Sequence, residues 1–350
     1  MASQTENLNE QIKAEASSLG FVLCGFSEAH RSIRYDRYLR WLEEGCHAGM
    51  GYMARPEAIL KREHPAHLLE DCQTVISLAM AYAPIKPNRA EAERRPKGRI
   101  AVYAAYPDYH DLMRKALAEL AAKLTSLSRS EAFVAVDTSP ILEKSFGHQA
   151  GLGWVGRNSL VINPKYGSWL FLGEVLTTAR FESDSKPMPD GCRDCRRCVM
   201  ACPTRAIRAD RSIDARRCLS YLTIEHRGSI PEAFREMMGD RIFGCDTCQT
   251  ACPYNRAVEG LPSPAMSSQV IDPFPDLIES LRLTEGQFKE RYAGTAVLRA
   301  GYAGWRRNVA IALGNSGRDE NVPVLEEVLS ENQDHVVKEA VLWALKHLGR

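Results

Sequence analysis

The chain has no hydrophobic run approaching the length of a membrane span. Its opening residues, Met1 to Gln11, are polar and carry no basic n-region, no apolar h-region and no twin-arginine signal. These absences set the expectation of a soluble, cytoplasmic protein. Cysteines scattered as disulfide pairs are missing too: eight of the eleven fall between Cys192 and Cys252 at ligand spacing, which fits a reducing cytosol. The other three, Cys24, Cys46 and Cys72, lack ligand spacing and read as small buried hydrophobes. Net charge is nearly absent, +1 over 350 residues, but that neutrality hides local excess. Lys86 to Arg99 holds six basic residues against Glu91 and Glu93, and Gly191 to Cys218 holds eight arginines against three aspartates. Such patches bind a polyanion, or make solvated loops that offset anionic clusters. Composition alone favours the second.

What is present is organised around the cysteines. They read Cys192-x2-Cys195-x2-Cys198-x3-Cys202-Pro203, then Cys218, then Cys245-x2-Cys248-x3-Cys252-Pro253. The first run has the bacterial ferredoxin spacing, whose fourth cysteine serves the other cluster in two-cluster proteins. Cys218 supplies the ligand that the second run lacks. The thiolates therefore divide into two cubane sets: Cys192, Cys195, Cys198 and Cys252 in one, Cys202, Cys218, Cys245 and Cys248 in the other. Paired C-x2-C also suits structural zinc, but zinc sites seldom show the full ferredoxin run. A cubane held by four protein thiolates has no open iron, so these clusters move electrons and substrate chemistry belongs elsewhere.

At this length the chain has room for two or three domains. Helices are expected over Leu8 to Leu19, Tyr35 to Glu44 and Asp111 to Leu127. Strands are expected over Phe21 to Phe26, Thr74 to Tyr82, Ile100 to Ala105, Glu131 to Val136, Leu160 to Asn163 and Ser168 to Thr177. Pro84 to Gly98 reads as a surface loop, and Ser139 with Pro140 as the start of a helix. The expected class is α+β, with an α/β-type catalytic domain over 1–186 and a ferredoxin-like module over 187–260. A Pro/Ser linker, Leu261 to Pro275, then leads to a helical domain over 276–350. There Ala312-Leu-x3-Gly317 recurs as Ala344-Leu-x3-Gly349, which suggests a short HEAT-like solenoid. Arg306-Arg307-Asn308 faces either a phosphate backbone or plain solvent.

Asp137 directly follows an apolar strand, where open α/β sheets place functional groups. A carboxyl in an apolar pocket has a raised pKa and can act as a general acid near neutral pH. The competing reading is an Asp that bonds the turn before a helix. Gly151-Leu-Gly153-Trp-Val-Gly156 matches G-x-G-x-x-G, but a helix precedes it and a strand follows, so it is no dinucleotide site. Its glycines either let backbone approach a flat cofactor or make a tight turn. Asp108-Tyr109-His110 opens the long helix. With Met113 in place of glycine it does not make the Asp-x-His-x-x-Gly motif that supplies a histidine ligand in many cobalamin proteins, and His110 reads as a packing histidine.

These segments together resemble the epoxyqueuosine reductase family, the cobalamin- and iron–sulfur-dependent enzymes of the last step of queuosine synthesis in tRNA. The resemblance covers nearly the whole chain. It rests on Asp108-Tyr109-His110, Val136 to Pro140, Ala150 to Gly156, Gly167 to Glu174, Asp214 to Glu225, Ile242 to Gln249, both cysteine runs and the HEAT-like tail. It implies a base-off cobalamin in the first domain, fed electrons one at a time by two 4Fe-4S clusters. The implied reaction reduces the epoxide of epoxyqueuosine, at the wobble position of tRNA, to queuosine. Asp137 matches the family's proton donor. Arg157, Asn158, Ser159 and Val161, together with Ser168, Leu172, Tyr109 and His110, match parts of the cobalamin pocket. The implied partners are the tRNA anticodon stem-loop and an external reductant such as flavodoxin or ferredoxin, with the enzyme itself a monomer. The chain departs from some members in having no cysteine from Ile100 to Tyr106, where they carry one near the cobalt face. A reductive dehalogenase-like cobalamin enzyme and a ferredoxin-type electron carrier are the competing readings. The absent export signal and the helical tail disfavour the first, and the large N-terminal domain disfavours the second.

Overall fold

The computed structural model describes residues 2–82, 95–183, 186–256, 258, 270–331 and 333–350. The chain begins with α1 (Ala2–Ser18), β1 (Leu23–Glu28), α2 (Tyr35–Glu43), α3 (Pro56–Glu63) and β2 (Thr74–Ala81). Next come β3 (Arg99–Ile100), α4 (Tyr109–Ser128), β4 (Ala132–Val136), α5 (Glu143–Gln149), a hairpin of β5 (Trp154–Val155) and β6 (Val161–Ile162), and β7 (Leu170–Thr177). Strands β1, β2, β7 and β4 form one sheet in that order, every neighbouring pair antiparallel. The fold is therefore α+β, and the rule for carboxyl ends of parallel strands does not apply to Asp137.

Both faces of this sheet are covered, which is why β2 reads as an unbroken apolar run and not as alternation. Ile76, Leu78 and Met80 face α1 and α4, where they join Ile12, Ala16, Leu117 and Leu120. Val75 and Ala79 face the other way, toward Phe146 of α5 and Val155 and Val161 of the hairpin. Helix α4 buries Met113, Ala116, Leu117, Leu120, Ala121 and Leu124, a stripe at three- and four-residue spacing. Gly173 on β7 lets that stripe press close: a Cβ there would lie 2.7 Å from Leu117 Cδ1 and 2.9 Å from Met113 Cε. This contact sets the start of α4, and with it Tyr109 and His110, over the sheet.

The cysteine segment contributes α6 (Arg197–Ala201), α7 (Leu219–Ile224), α8 (Glu232–Met238), β8 (Arg241–Phe243) and α9 (Thr247–Thr250). Helices α10 (Leu277–Arg282), α11 (Glu285–Arg291), α12 (Gly301–Asn315), α13 (Val322–Glu331) and α14 (His335–His347) follow. The segments expected as separate domains over 187–260 and 276–350 share one core: Leu222, Met238 and Phe243 pack with Trp305, Val309, Leu313 and Val341. Strand β8 also pairs in parallel with β3, joining this half to the first.

Three local expectations fail for physical reasons. The strand over Ile100 to Ala105 stops at Ile100 and turns into a 3-10 stretch at Val102–Ala105, because Asp246 Oδ2 takes the Val102 N–H at 2.8 Å. Ser139 and Pro140 do not open a helix; α5 starts at Glu143, with Leu142 in the N-cap position. Arg307 and Asn308 face neither phosphate nor solvent. Both are buried, Arg307 donating to the carbonyls of Leu222, His226 and Gly228 and Asn308 to those of Thr223 and Ile242. Most of the loop expected over Pro84 to Gly98, with Lys86, Arg89 and Arg94, lies outside the described residues, as does most of the Leu261 to Pro275 linker. Among the described residues no helix is long and apolar enough to cross a membrane.

Candidate active site and metal centres

Asp108 caps α4, and its Oδ1 accepts twice from His110: from the backbone N–H at 3.1 Å and from Nδ1 at 2.6 Å. That fixes the ring and aims Nε2 at Asp137, whose Oδ2 lies 3.0 Å away at the end of β4. A helix start and a strand end thus converge on one imidazole. Tyr109 braces it, its ring centroid 4.1 Å from that of His110 and 4.2 Å from that of Phe171. From the far half of the chain, Arg299 brings Nη1 to 3.7 Å from Asp137 Oδ2 and Nη2 to 3.6 Å from Glu225 Oε1.

These neighbours overturn the expected protonation of Asp137. Burial pushes its pKa up, but the His110 hydrogen bond and the charges of His110, Arg299 and Lys144 outweigh burial and hold the carboxyl below its usual range. The proton resides on the histidine. Burial would favour neutral imidazole, yet the hydrogen bonds to Asp108 and Asp137 lift the His110 pKa to about 9. The expected packing role for His110 is therefore replaced by a charged one. Nearby Glu143 moves in the opposite direction: burial, then the charge of Asp137, raises its pKa to about 7 against the pull of Lys144, His110 and Arg62.

Asp137 opens on a cleft of about 400 Å³ whose walls include Trp41, Glu143, Lys144, Asn158, Ser159 and Leu160. A second cavity of about 150 Å³ shares Asp137, Glu143, Lys144 and Leu160 with it and extends to Tyr109, Val161, Ser168 and Leu172. Seven of the eight residues expected at a cofactor therefore line this space or, for His110, reach it through Asp137. Arg157 is the exception. It borders the cysteines instead, where Nη2 donates to the Arg193 carbonyl at 2.6 Å. The cleft's positive wall brings Arg211 of the arginine-rich stretch together with Arg34, Arg37 and Arg62, which carry no local signal. Burial and the charges of Arg37 and Arg211 press the Arg34 pKa down to about 10. Arg37 Nη1, Arg157 Nε and Asn158 Nδ2 are buried without hydrogen-bond partners among the described residues.

The Gly151–Gly156 segment makes a tight turn into the β5–β6 hairpin. A Cβ on Gly153 would lie 2.3 Å from the Ile162 carbonyl oxygen, so it is the partner strand that requires glycine here. The hairpin loop carries Asn158 and Ser159 to the cleft.

Cys192, Cys195, Cys198 and Cys252 surround a gap of about 20 Å³. Asn158 lines both that gap and the cleft. Cys218 has Cys245 and Cys202 as electrostatic neighbours, although burial is the main reason its pKa rises to about 11. Burial also pushes Cys248 up, followed by the effects of Cys245 and Cys218. Cys192, Cys195, Cys198 and Cys252 thus border one gap, while Cys202, Cys245 and Cys248 are each electrostatic neighbours of Cys218. Cys72 is buried as expected. Cys46 is buried but not apolar in its contacts, since Arg208 Nη1 donates to its sulfur at 2.6 Å. The arginine-rich stretch is partly neutralised: Arg208 pairs with Glu44, Arg211 with Asp190 and Arg216 with Asp214. Arg193, Arg196, Arg197 and Arg205 remain exposed.

Residues 191–255 match the 4Fe-4S double cluster binding domain, and residues 62–138 match the family described as epoxyqueuosine reductase QueG, DUF1730. An epoxyqueuosine reductase of Pseudomonas aeruginosa is 38% identical over 346 residues, covering 98% of this chain and 95% of the relative. The solved epoxyqueuosine reductase of Streptococcus thermophilus superposes with a TM-score of 0.88 at 32% identity, covering 98% of this chain and 90% of that one. An epoxyqueuosine reductase solved with a tRNA-Tyr epoxyqueuosine-modified stem loop gives a TM-score of 0.90 at 29% identity, covering 99% and 91%.

Proposed function

Since the chain belongs to the epoxyqueuosine reductase family, we propose that it reduces the epoxide of epoxyqueuosine in tRNA to the double bond of queuosine. One observation carries this reading: His110 is clamped between Asp108 and Asp137, and Asp137 opens on a cleft that shares Asn158 with the gap among four cluster thiols. Taking an epoxide oxygen off as water needs an acid at that oxygen and a source of electrons, and both meet at this cleft. The acid is the His110–Asp137 pair. Asp137 faces the cleft as an anion, orients the imidazolium and hands its proton on to the departing oxygen.

Cobalamin suits the donor set of the cleft. Its peripheral amide carbonyls and its phosphate are acceptors, and Arg37 Nη1 and Asn158 Nδ2 are buried donors without partners among the described residues. Arg34 and Arg62 add positive charge, and Tyr109, Leu160 and Leu172 offer apolar contact. The cleft falls in the range of small-molecule sites, roughly 300–1,000 Å³. When bound, cobalamin supplies strongly reducing cobalt, and the two 4Fe-4S clusters supply a one-electron route to it. The protein's part is to seat the ring, exclude water and deliver protons.

A wobble base must be splayed from its loop to enter such a cleft. The exposed Arg193, Arg196, Arg197 and Arg205, with the HEAT-like helices of residues 276–350, are suited to hold phosphates. We take the enzyme to work as a cytoplasmic monomer with flavodoxin or ferredoxin as its external reductant. No observation favours a small halogenated substrate.

The deciding experiment is anaerobic incubation of reconstituted protein and cobalamin with epoxyqueuosine-containing tRNA and a strong reductant, followed by nucleoside mass analysis. Loss of one oxygen is the expected result, and an unchanged nucleoside would sink the proposal. Stem-loop affinity should also fall steeply with added salt.

A further inference from the structure

Removing an epoxide oxygen as water breaks both carbon–oxygen bonds, leaves a carbon–carbon double bond, and consumes two electrons and two protons. The His110–Asp137 pair holds one proton. After giving it up, the pair cannot supply the second within the same event. A second acid must reach the same oxygen.

We propose that Glu143 is that acid, giving the proton with which the opened epoxide oxygen leaves as water. The inference rests on the reading above, with the two electrons delivered through the iron–sulfur and cobalamin cofactors of that reading. Glu143 is the first residue of α5 and lines the larger and the smaller cavity, as Asp137 does. Among the described residues it has neither a hydrogen bond nor an ion pair, so its proton is not committed to a structural contact.

The groups around it favour the neutral acid. Burial and then the charge of Asp137 oppose its ionisation, while Lys144, His110 and Arg62 favour it. Glu174 lies below on β7, fully buried, with both carboxyl oxygens lacking partners among the described residues. Across the sheet its register partner Ser77 also has an unpartnered hydroxyl. Burial, followed by the nearness of Glu143, pushes the Glu174 pKa well above the usual range, so it stays neutral. Asp137 and Glu143 thus line the cleft together, and Glu143 is coupled electrostatically to the buried Glu174 of β7. The plain alternative is that Glu143 merely fills the first turn of α5.

Single-turnover rates measured across pH on reconstituted enzyme with epoxyqueuosine-modified stem loop separate the two. A proton donor works only while protonated, so the wild-type rate should fall in two steps, near the pKa of about 7 for Glu143 and about 9 for His110. Glu143→Gln should remove the lower step and slow the reaction by about 10²–10⁴-fold. Cluster absorbance, cobalamin binding and stem-loop affinity should not change. Glu143→Asp, which keeps the acid, should recover part of the rate together with the lower step. Infrared difference spectra should show a protonated carboxyl band near neutral pH that titrates with the lower step and is missing from Glu143→Gln. A Glu143→Gln enzyme with the wild-type rate and both pH steps would overturn the proposal and leave the family reading intact. A wild-type enzyme that leaves the epoxide unchanged would overturn that reading and this inference with it.

Discussion

Arg299 Nη1 lies 3.7 Å from Asp137 Oδ2, and through that contact the C-terminal half of the chain reaches the end of β4. The same guanidinium stands 3.6 Å from Glu225 Oε1, after α7. Both members of the Arg299–Asp137 pair are about two-fifths exposed, 40% and 42%, so solvent screening limits the pair to under about 1 kcal/mol of stability. Its use is positional: it pins the carboxylate that orients His110. Arg299→Ala should leave the unfolding midpoint almost unchanged and slow turnover by about tenfold, a barrier increase of ~1.4 kcal/mol. Arg299→Lys should recover part of the loss. Wild-type turnover in Arg299→Ala would make the contact incidental.

His110 ties stability to pH in a defined direction. Its folded-state pKa of about 9 lies above the ordinary 6.5, so its contribution is complete below pH 6.5 and is lost as pH rises through about 9. The size is on the order of 2 kcal/mol, counted once for the whole Asp108–His110–Asp137 group. Anaerobic denaturant midpoints should therefore drop across that window in the wild type and stay flatter in His110→Gln. Asp137→Asn removes one of the two hydrogen bonds that raise the imidazole pKa. It should move the fall to lower pH and abolish turnover while clusters and cobalamin remain bound. Retained turnover would mean that the proton comes from another group.

How much of this could be read from residue order depends on how local each relationship is. Cluster ligands are spaced by the loops that wrap them, so Cys192 to Cys252 announce themselves. Asp108 and His110 share one helix turn, and Asp137 ends a strand that its apolar run defines. Their meeting was not visible, because α4 and β4 are brought together by the packing of Leu117 and Met113 over Gly173. Arg299 carries no local signal at all. Glu143 looked like one more residue of a helix expected to start at Ser139, and the later start at α5 is what turns it into the cleft. Sheet order was hidden for a similar reason: with both faces covered, β2 lacks the alternation that marks an antiparallel strand.

The hairpin supplies a test of why glycine occupies position 153. A methyl group there would meet the Ile162 carbonyl oxygen at 2.3 Å and its carbon at 2.8 Å, backbone atoms that cannot swing aside as a side-chain end can. Gly153→Ala should cost roughly 1–3 kcal/mol and lower the melting temperature accordingly. It should also weaken cobalamin binding, since β5 and β6 carry the loop with Asn158 and Ser159. Full stability combined with lost cofactor binding would instead favour close approach of the cofactor to the glycine backbone.

Each cysteine run lends one sulfur to the set formed mainly by the other run. Cys252 follows Cys248 by four positions, yet it borders the gap shared with Cys192, Cys195 and Cys198. Cys202 follows Cys198 by four positions, yet it is an electrostatic neighbour of Cys218. Cys252→Ser and Cys192→Ser should each lose about half of the iron and sulfide and leave the same surviving electron paramagnetic resonance signal. Cys202→Ser and Cys218→Ser should leave the other signal, while Cys72→Ser should keep both. If Cys252→Ser instead shared its surviving signal with Cys245→Ser, each cluster would be bound by one unbroken run. The crossing that carries a ligand from each run to the other cluster would then be wrong.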